Sequence, residues 1–354
     1  MQKELKYKVS FATPAFLGNV DQQAQWRTPP FKALIRQWWR VVKARELGYD
    51  VTRLRAAENA LFGIAADSQQ GDSHRSLLQL RLAHWNVPPL QPLGIAGRVA
   101  HTEVQRGGPA NPNGTGVMVE AALYLGYGPV TTTGNRSFIS PDQPNELSIR
   151  FPEPEMPAIR DAIQLVAWFG TLGSRSRNGW GSIALAGGDL RALSVSDALL
   201  GRVQRDWKAC LSEGWPHAIG LDQFRPLIWS THQAFGDWRA AMKELARIKI
   251  AFRTHFKFDG PTRGLHPRHL LSYPITRHNI SELGDGNGRI PNQLRFKVCK
   301  GAEGYYGMAF HMPCDLPETV KGRVHGATPT LLQSTWGTVH EILNIQMKNL
   351  GAAA

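Results

Sequence analysis

The sequence has few cysteines and no long apolar run, and both absences exclude classes of protein. Its 354 residues include three cysteines, Cys210, Cys299 and Cys314, with no CxxC pair. Neither a secreted disulfide scaffold nor a zinc knuckle is therefore indicated. No uncharged apolar stretch is long enough for a membrane span. The N-terminus, MQKELKYKVSF, alternates like a strand and is unlike a signal peptide, so we expect a cytoplasmic protein with no membrane partner.

Acidic residues are scarce beside basic ones. There are 28 Asp and Glu against 41 Lys and Arg, a formal charge of +13. This excess indicates a polyanion such as nucleic acid, an acidic membrane surface or an acidic partner; a soluble basic enzyme is the alternative. Residues 1–187 hold 20 basic and 14 acidic side chains and residues 188–354 hold 21 and 14, which suits two similar domains facing one polyanion. The densest segment, 247–300, is expected to be an RNA or subunit interface rather than a metal site, because its histidines have no compact metal-binding spacing.

The order of predicted elements favours an α+β fold. Alternating strand patterns, such as residues 269–276, are interspersed with helical patterns, such as residues 156–169 and 196–213. The strands do not follow one another as in a parallel βαβ array. Residues 186–194, AGGDLRALS, are the best candidate for a linker. We therefore predict two domains, residues 1–187 and residues 188–354.

The first strong helix carries a row of cations. In FKALIRQWWRVVKAREL, one side of the helical wheel is apolar, and Lys32, Arg36, Arg40 and Lys43 share the opposite side. The helix places no glutamate among them, so an external anion such as RNA could balance the charge. Trp39 falls beside these cations and could stack a base. The alternatives are a solvated face and a boundary tryptophan that packs on the next helix.

A glycine-rich loop follows a helical pattern in GTLGSRSRNGWGSIAL, residues 170–185. It has neither the lysine of a Walker loop nor the spacing of a Rossmann fingerprint. Its glycines could let the backbone approach a ligand closely. Arg175 and Arg177 would bind phosphate, Asn178 would read a base edge or a 2′-hydroxyl, and Trp180 would stack on a base. The alternative is a helix-to-strand turn with solvated arginines.

Four motifs in order resemble one known superfamily. They are TPAFLG (13–18), KALIRQWWR (32–40), LFG (61–63) and GSRSRNGWG (173–181). Together they resemble the RAMP superfamily of CRISPR-associated RNA-binding proteins, and more closely the first-subunit family of the Cmr complex, the type III-B RNA-guided effector. Asn19 stands where that family commonly has a second glycine. The match covers residues 10–185 well and the second half less closely.

The resemblance implies two tandem ferredoxin-like domains, the first with the glycine-rich loop and the second more divergent. It also implies an RNA-binding subunit without catalytic activity or cofactor, near the 3′ region of the guide RNA, where target RNA is captured. The partners would be guide CRISPR RNA, target RNA and other Cmr subunits, in antiviral defence.

Two alternatives remain open. Some RAMP relatives cut RNA, and in this chain Asp21 would be the candidate catalytic residue, with His74 and His101 nearby in sequence. The favoured interpretation of Asp21 is a polar loop residue or a turn cap. The third possibility is a mainly structural subunit whose basic faces meet acidic proteins.

Overall fold

The computed structural model describes residues 1–64, 73–94, 96–141, 143–258, 264–276, 278–284 and 288–351. Strands within these ranges are β1 Gln2–Phe11, β2 Gln79–Leu82, β3 Arg98–His101, β4 Val117–Glu120, β5 Asn145–Pro152, β6 Ile183–Ala186, β7 Gln204–Asp206, β8 Ile219–Asp222, β9 Arg225–Pro226, β10 Ile228–Ser230, β11 Leu294–Gly301, β12 Gly304–His311 and β13 Lys348–Asn349.

The helices are α1 Thr28–Ala44, α2 Val51–Phe62, α3 Ala121–Gly126, α4 Met156–Phe169, α5 Ala198–Val203, α6 Trp207–Cys210, α7 Trp238–His255, α8 Pro267–Leu271, α9 Glu318–Lys321 and α10 Pro329–Gln346. Two 3₁₀ turns lie at Glu153–Glu155 and Ser281–Leu283. The mixture of helices with antiparallel sheets confirms the predicted α+β class. Within the described ranges, no helix is long and apolar enough to span a bilayer.

The chain divides into two compact units. The first comprises residues 1–93 and 128–203, and the second comprises residues 94–127 and 204–354. This division differs from the predicted boundary after residue 187. The expected linker is bound to α4, since the side chains of Gln164 and Trp168 donate hydrogen bonds to the carbonyl oxygen of Arg191 at 3.0 and 2.8 Å. The first unit therefore continues to the end of α5, where Leu199 and Leu200 are buried.

The first unit contains a sheet in the order β2-β5-β1-β6, with every neighbouring pair antiparallel. Tyr7, Val9 and Phe11 alternate toward the core along β1, as a period of two residues requires. Helix α1 begins with prolines in its first turn, where their missing N–H is tolerated. It packs on α4, and the rings of Trp38 and Phe169 stack at 5.5 Å.

The second unit contains an antiparallel sheet in the order β11-β12-β10-β13. Helix α7 follows β10 in the chain, and α10 lies between β12 and β13. If each sheet's strands are numbered by their position in the sequence, both sheets have the order second-third-first-fourth, and in both a helix follows the first and third strands. The inserted hairpin β3–β4 and the small sheet β7-β8-β9 also belong to this unit.

Candidate nucleic-acid interface

Three segments of the first unit meet beyond the C-terminal end of β1. They are residues 12–25, residues 128–139, and the residues around 173–181, which we call the glycine loop. Phe16 lies where they join, with its ring 6.0 Å from that of Phe138 and 5.2 Å from that of Trp180. An antiparallel bridge pairs Ala15 with Ile139. The motifs at 13–18 and 173–181, which are distant in sequence, are thus neighbours.

Hydrogen bonds fix the glycine loop to the segment after β1. The hydroxyl of Thr13 donates to the carbonyl oxygen of Gly179 at 2.7 Å and accepts from the backbone N–H of Ser182 at 3.0 Å. The N–H of Ser174 donates to the carbonyl oxygen of Phe16 at 3.0 Å. These long-range bonds are largely buried, so the loop has a defined conformation.

Gly173 shows what the loop's glycines do. Its φ is +98°, and a Cβ added there would lie 2.7 Å from the carbonyl oxygen of Phe16. A side chain would therefore both strain the backbone and collide with it. We predicted that glycine permits close approach to a ligand, but at this position it permits close approach of the chain's own backbone.

The loop presents Arg175 at its exposed tip. Arg175 has a φ of 57°, and its carbonyl oxygen accepts from the N–H of Asn178 at 2.8 Å. Its guanidinium extends toward Gly128, with Nη2 3.7 Å from the position of a Cβ on that glycine. Arg177 and Asn178 are half-buried. The phosphate and base contacts proposed for these residues stay predictions.

Both tryptophans predicted to stack on bases lie in the core. Trp180 is 0% exposed and packs edge-on against Phe16. Trp39 is 1% exposed, and its ring lies 5.6 Å from that of Phe62 at the end of α2. Trp39 therefore packs on the next helix, the alternative that the sequence left open. Neither ring offers a surface on which a base could stack.

The cations of α1 have partners that the isolated helix did not reveal. Glu58 of α2 is buried, and its carboxylate accepts from Nε of Arg36, from Nε of Arg40 and from Nη2 of Arg40, the last at 2.6 Å. Burial alone raises the pKa of Glu58, but the hydrogen bonds and charges of the two arginines outweigh it and leave that pKa below its usual value. Each arginine side chain remains over a third exposed, so RNA contact at this row stays a prediction.

The two lysines of the row are also engaged. Nζ of Lys32 donates to the carbonyl oxygen of Phe62 at 2.9 Å, and burial together with the charge of Arg36 lowers the pKa of Lys32. Lys43 pairs with Glu46 just beyond the helix. Contacts within the chain thus satisfy part of the charge and hydrogen-bonding capacity of this row of cations.

Asp21 lies at the exposed tip of the segment after β1. Its backbone N–H donates to the side-chain oxygen of Asn19 at 2.9 Å. No contact between His74 and Asp21 is present among the described residues. Nε2 of His74 instead donates to the carbonyl oxygen of Asn59 at 2.7 Å. His101 is buried in β3 of the second unit, where desolvation lowers its pKa. The described ranges contain no group of three or more potential metal ligands.

The densest basic segment keeps several of its cations inside the second unit. Arg268, Arg295 and Lys297 are each 7% exposed or less. Arg268 pairs with Glu103, and burial lowers the pKa of Lys297 to about 8. The number of cations in residues 247–300 therefore overstates the positive charge that this segment places at the surface.

Sequence reasoning missed the loop at residues 128–137, which we call the threonine loop. Exposed Thr131, Thr132 and Thr133 form its tip, and the N–H of Thr131 donates to the carbonyl oxygen of Gly134 at 2.8 Å. Arg136 is exposed and forms no ion pair with any described residue. The signal in the sequence was GPVTTTGNR, a turn rich in hydroxyl groups that ends in a cation.

A scan of family models finds no match to this sequence, and a search of curated proteins finds none either. Among solved structures, apo Cmr1 from Pyrococcus furiosus is similar with a TM-score of 0.47 and 13% identity, covering 94% of this chain and 96% of that one. A type III-B Cmr-beta complex bound to cognate target RNA and AMPPnP gives a TM-score of 0.44, 10% identity and coverages of 97% and 98%. A type IV-B CRISPR complex gives a TM-score of 0.31 with 15% identity, covering 56% of this chain and 96% of that one.

Proposed function

We propose that the chain is an RNA-binding subunit of a type III-B CRISPR effector and has no catalytic activity of its own. It would lie near the 3′ region of the guide RNA, help to capture target RNA, and contact other Cmr subunits. The observation that carries the proposal is the meeting of the glycine loop and the threonine loop around Phe16. This arrangement presents Arg175 and Arg136 beside exposed hydroxyl groups, a combination suited to phosphate oxygens.

The domain assignment belongs to the same proposal. An antiparallel sheet ordered second-third-first-fourth, with a helix after the first and third strands, is the pattern of a split βαβ or ferredoxin-like domain. Both units have this strand order. We infer two tandem ferredoxin-like domains, with the glycine loop entering the last strand of the first.

Arg175→Ala/Arg177→Ala tests the RNA-binding site. A hydrogen bond to a charged group contributes at most about 3 kcal/mol, and solvent screening reduces this value because Arg175 is exposed and Arg177 is half-buried. The pair should therefore weaken RNA binding by roughly 1–3 kcal/mol in total. Binding of end-labelled single-stranded RNA on native gels measures this. Arg53→Ala/Arg55→Ala on α2 is the matched control, because both arginines are exposed and neither forms an ion pair with a described residue. Equal affinities for a folded double variant and its control would refute the site.

Two measurements separate the alternatives. A denaturing gel of the same reaction with Mg²⁺ shows whether RNA is cut, and loss of cutting in Asp21→Asn would establish the endonuclease. Salt titration addresses the structural alternative. A single-strand binder that neutralises about six phosphates gives a log–log slope near −4, whereas a chain that recognises only acidic proteins binds RNA weakly at every salt concentration.

A further inference from the structure

The first unit has a second basic surface, on the side of its sheet opposite α1 and α4. Along β1, Tyr7 and Val9 turn inward while Lys6 and Lys8 are exposed. The same alternation exposes Arg81 on β2 and Arg150 on β5. We call this surface the outer face. None of its four cations forms an ion pair with a described residue.

Strand register places these charges in rows. Arg81 pairs with Ser148, and Ser148 pairs with Lys6 on its other side. Neighbouring strands are about 4.8 Å apart, so the Cα atoms of Arg81 and Lys6 are about 10 Å apart with the serine between them. Two long cationic side chains can converge on an anion above Ser148.

The acidic residues of the outer face lie in the adjacent rows. Glu4 pairs across the strands with Arg150, and Glu146 pairs with Lys8. Directly opposed unlike charges offset each other. The row of Arg81, Ser148 and Lys6 contains no carboxylate, so the unbalanced positive charge is concentrated there.

An open concavity adjoins this row. It has a volume of about 320 Å³ and is bordered by Lys6, Tyr7, Lys8, Glu146, Ala186 and Gly187. It forms because β6 contributes small side chains at its exposed positions and ends at Ala186, while β1 continues. Lys6 therefore belongs to both the row and the concavity.

We propose that the outer face binds the phosphodiester backbone of single-stranded RNA through Arg81, Ser148 and Lys6. This inference rests on the proposed RNA-binding function and extends it to a surface separate from the glycine loop. The exposed positions of these strands carry no aromatic side chain, so the contact is with phosphates and not by base stacking. Their apolar side chains are no larger than proline, whereas protein interfaces usually have an aromatic or aliphatic centre, which favours RNA over an acidic protein.

Lys6→Gln/Arg81→Gln tests this surface. With fluorescein-labelled oligouridine and the full chain, we expect roughly tenfold weaker binding. The log–log salt slope should fall in magnitude by about 1.4, because two phosphate contacts are lost at about 0.7 each. Lys6→Arg/Arg81→Lys keeps the charges and should bind as the wild type does. Arg53→Gln/Arg55→Gln removes the same charge from α2 and is the matched control.

The outcomes separate this inference from the proposed function. If Arg175→Ala/Arg177→Ala weakens binding while Lys6→Gln/Arg81→Gln matches the control, the outer face is not an RNA surface. If the wild-type chain binds no oligouridine, both proposals fall. If Lys6→Gln/Arg81→Gln loses binding to polyglutamate and retains binding to oligouridine, the surface serves an acidic protein and the inference is overturned.

Discussion

Replacing Arg36 and Arg40 of α1 by alanine should destabilise the fold before it affects any ligand. Glu58 is 3% exposed and accepts three hydrogen bonds from these two side chains. Removing both donors leaves a buried carboxylate without its cations, and breaking a buried pair in this way typically costs about 3–5 kcal/mol.

The three hydrogen bonds indicate a loss of about 4.5 kcal/mol. Three charge-assisted bonds at the lower limit of about 1.5 kcal/mol each give that value, and the lower limit applies because both guanidiniums are over a third exposed. For a unit of this size, each kcal/mol lowers Tm by about 2–4 °C, so Tm should fall by roughly 9–18 °C. Adding Glu58→Gln should recover part of the loss, since the unpaired charge is then removed.

Urea unfolding at several pH values measures the effect. In the wild type the pKa of Glu58 is lowered from 4.5, so its stabilising contribution is present above that pH and disappears as pH falls through the folded-state pKa. In Arg36→Ala/Arg40→Ala burial alone acts and raises that pKa, so the stability difference from the wild type should shrink as pH falls. Unchanged urea stability together with lost RNA binding would refute this reasoning and assign the arginines to RNA.

Two further predictions concern stability. Burial lowers the pKa of His340 from 6.5 to about 3. As pH falls, this histidine is therefore protonated in the unfolded chain before it is protonated in the folded one. The free energy of unfolding should fall as pH drops from 6.5 toward 3, by at most about 1.4 kcal/mol per pH unit for this group. His340→Gln should flatten the pH dependence of the free energy of unfolding, and an unchanged slope would contradict the assignment. Gly173→Ala should cost about 2 kcal/mol or more, because of its positive φ and the 2.7 Å contact of the added Cβ with the carbonyl oxygen of Phe16. Gly134→Ala in the threonine loop, whose Cβ would meet no atom within 4 Å, should change Tm little. Equal Tm values for the two variants would show that the glycine loop tolerates a side chain at position 173.

Local patterns predicted the regular elements of the first unit well. A helix expected at residues 156–169 is observed as Met156–Phe169, because its apolar periodicity, Pro157 in its first turn and Gly170 at its C-cap are all local signals. The strand predicted at residues 269–276 was wrong, since Pro267–Leu271 is a short helix with Pro267 in its first turn and His266 as its N-cap. The helix expected at 196–213 is interrupted by β7, which pairs with β8.

The candidate site was only partly predictable, for a physical reason. The motif containing Arg175 was correctly singled out as a compact glycine loop, since its residues are contiguous. The burial of Trp39 depends on α2, and the pairing of Arg36 depends on Glu58, 22 residues away in the sequence. A helical wheel contains neither contact, because tertiary packing determines both.

Photo-crosslinking of 4-thiouridine RNA to the full chain, followed by peptide mapping, would locate the RNA on the protein. If RNA binds where the two loops meet, crosslinks should fall within the glycine loop, residues 173–181, and the threonine loop, residues 128–137, and should be lost in Arg175→Ala/Arg177→Ala. Crosslinks confined to other parts of the chain, or their persistence in that variant, would contradict this placement of the RNA.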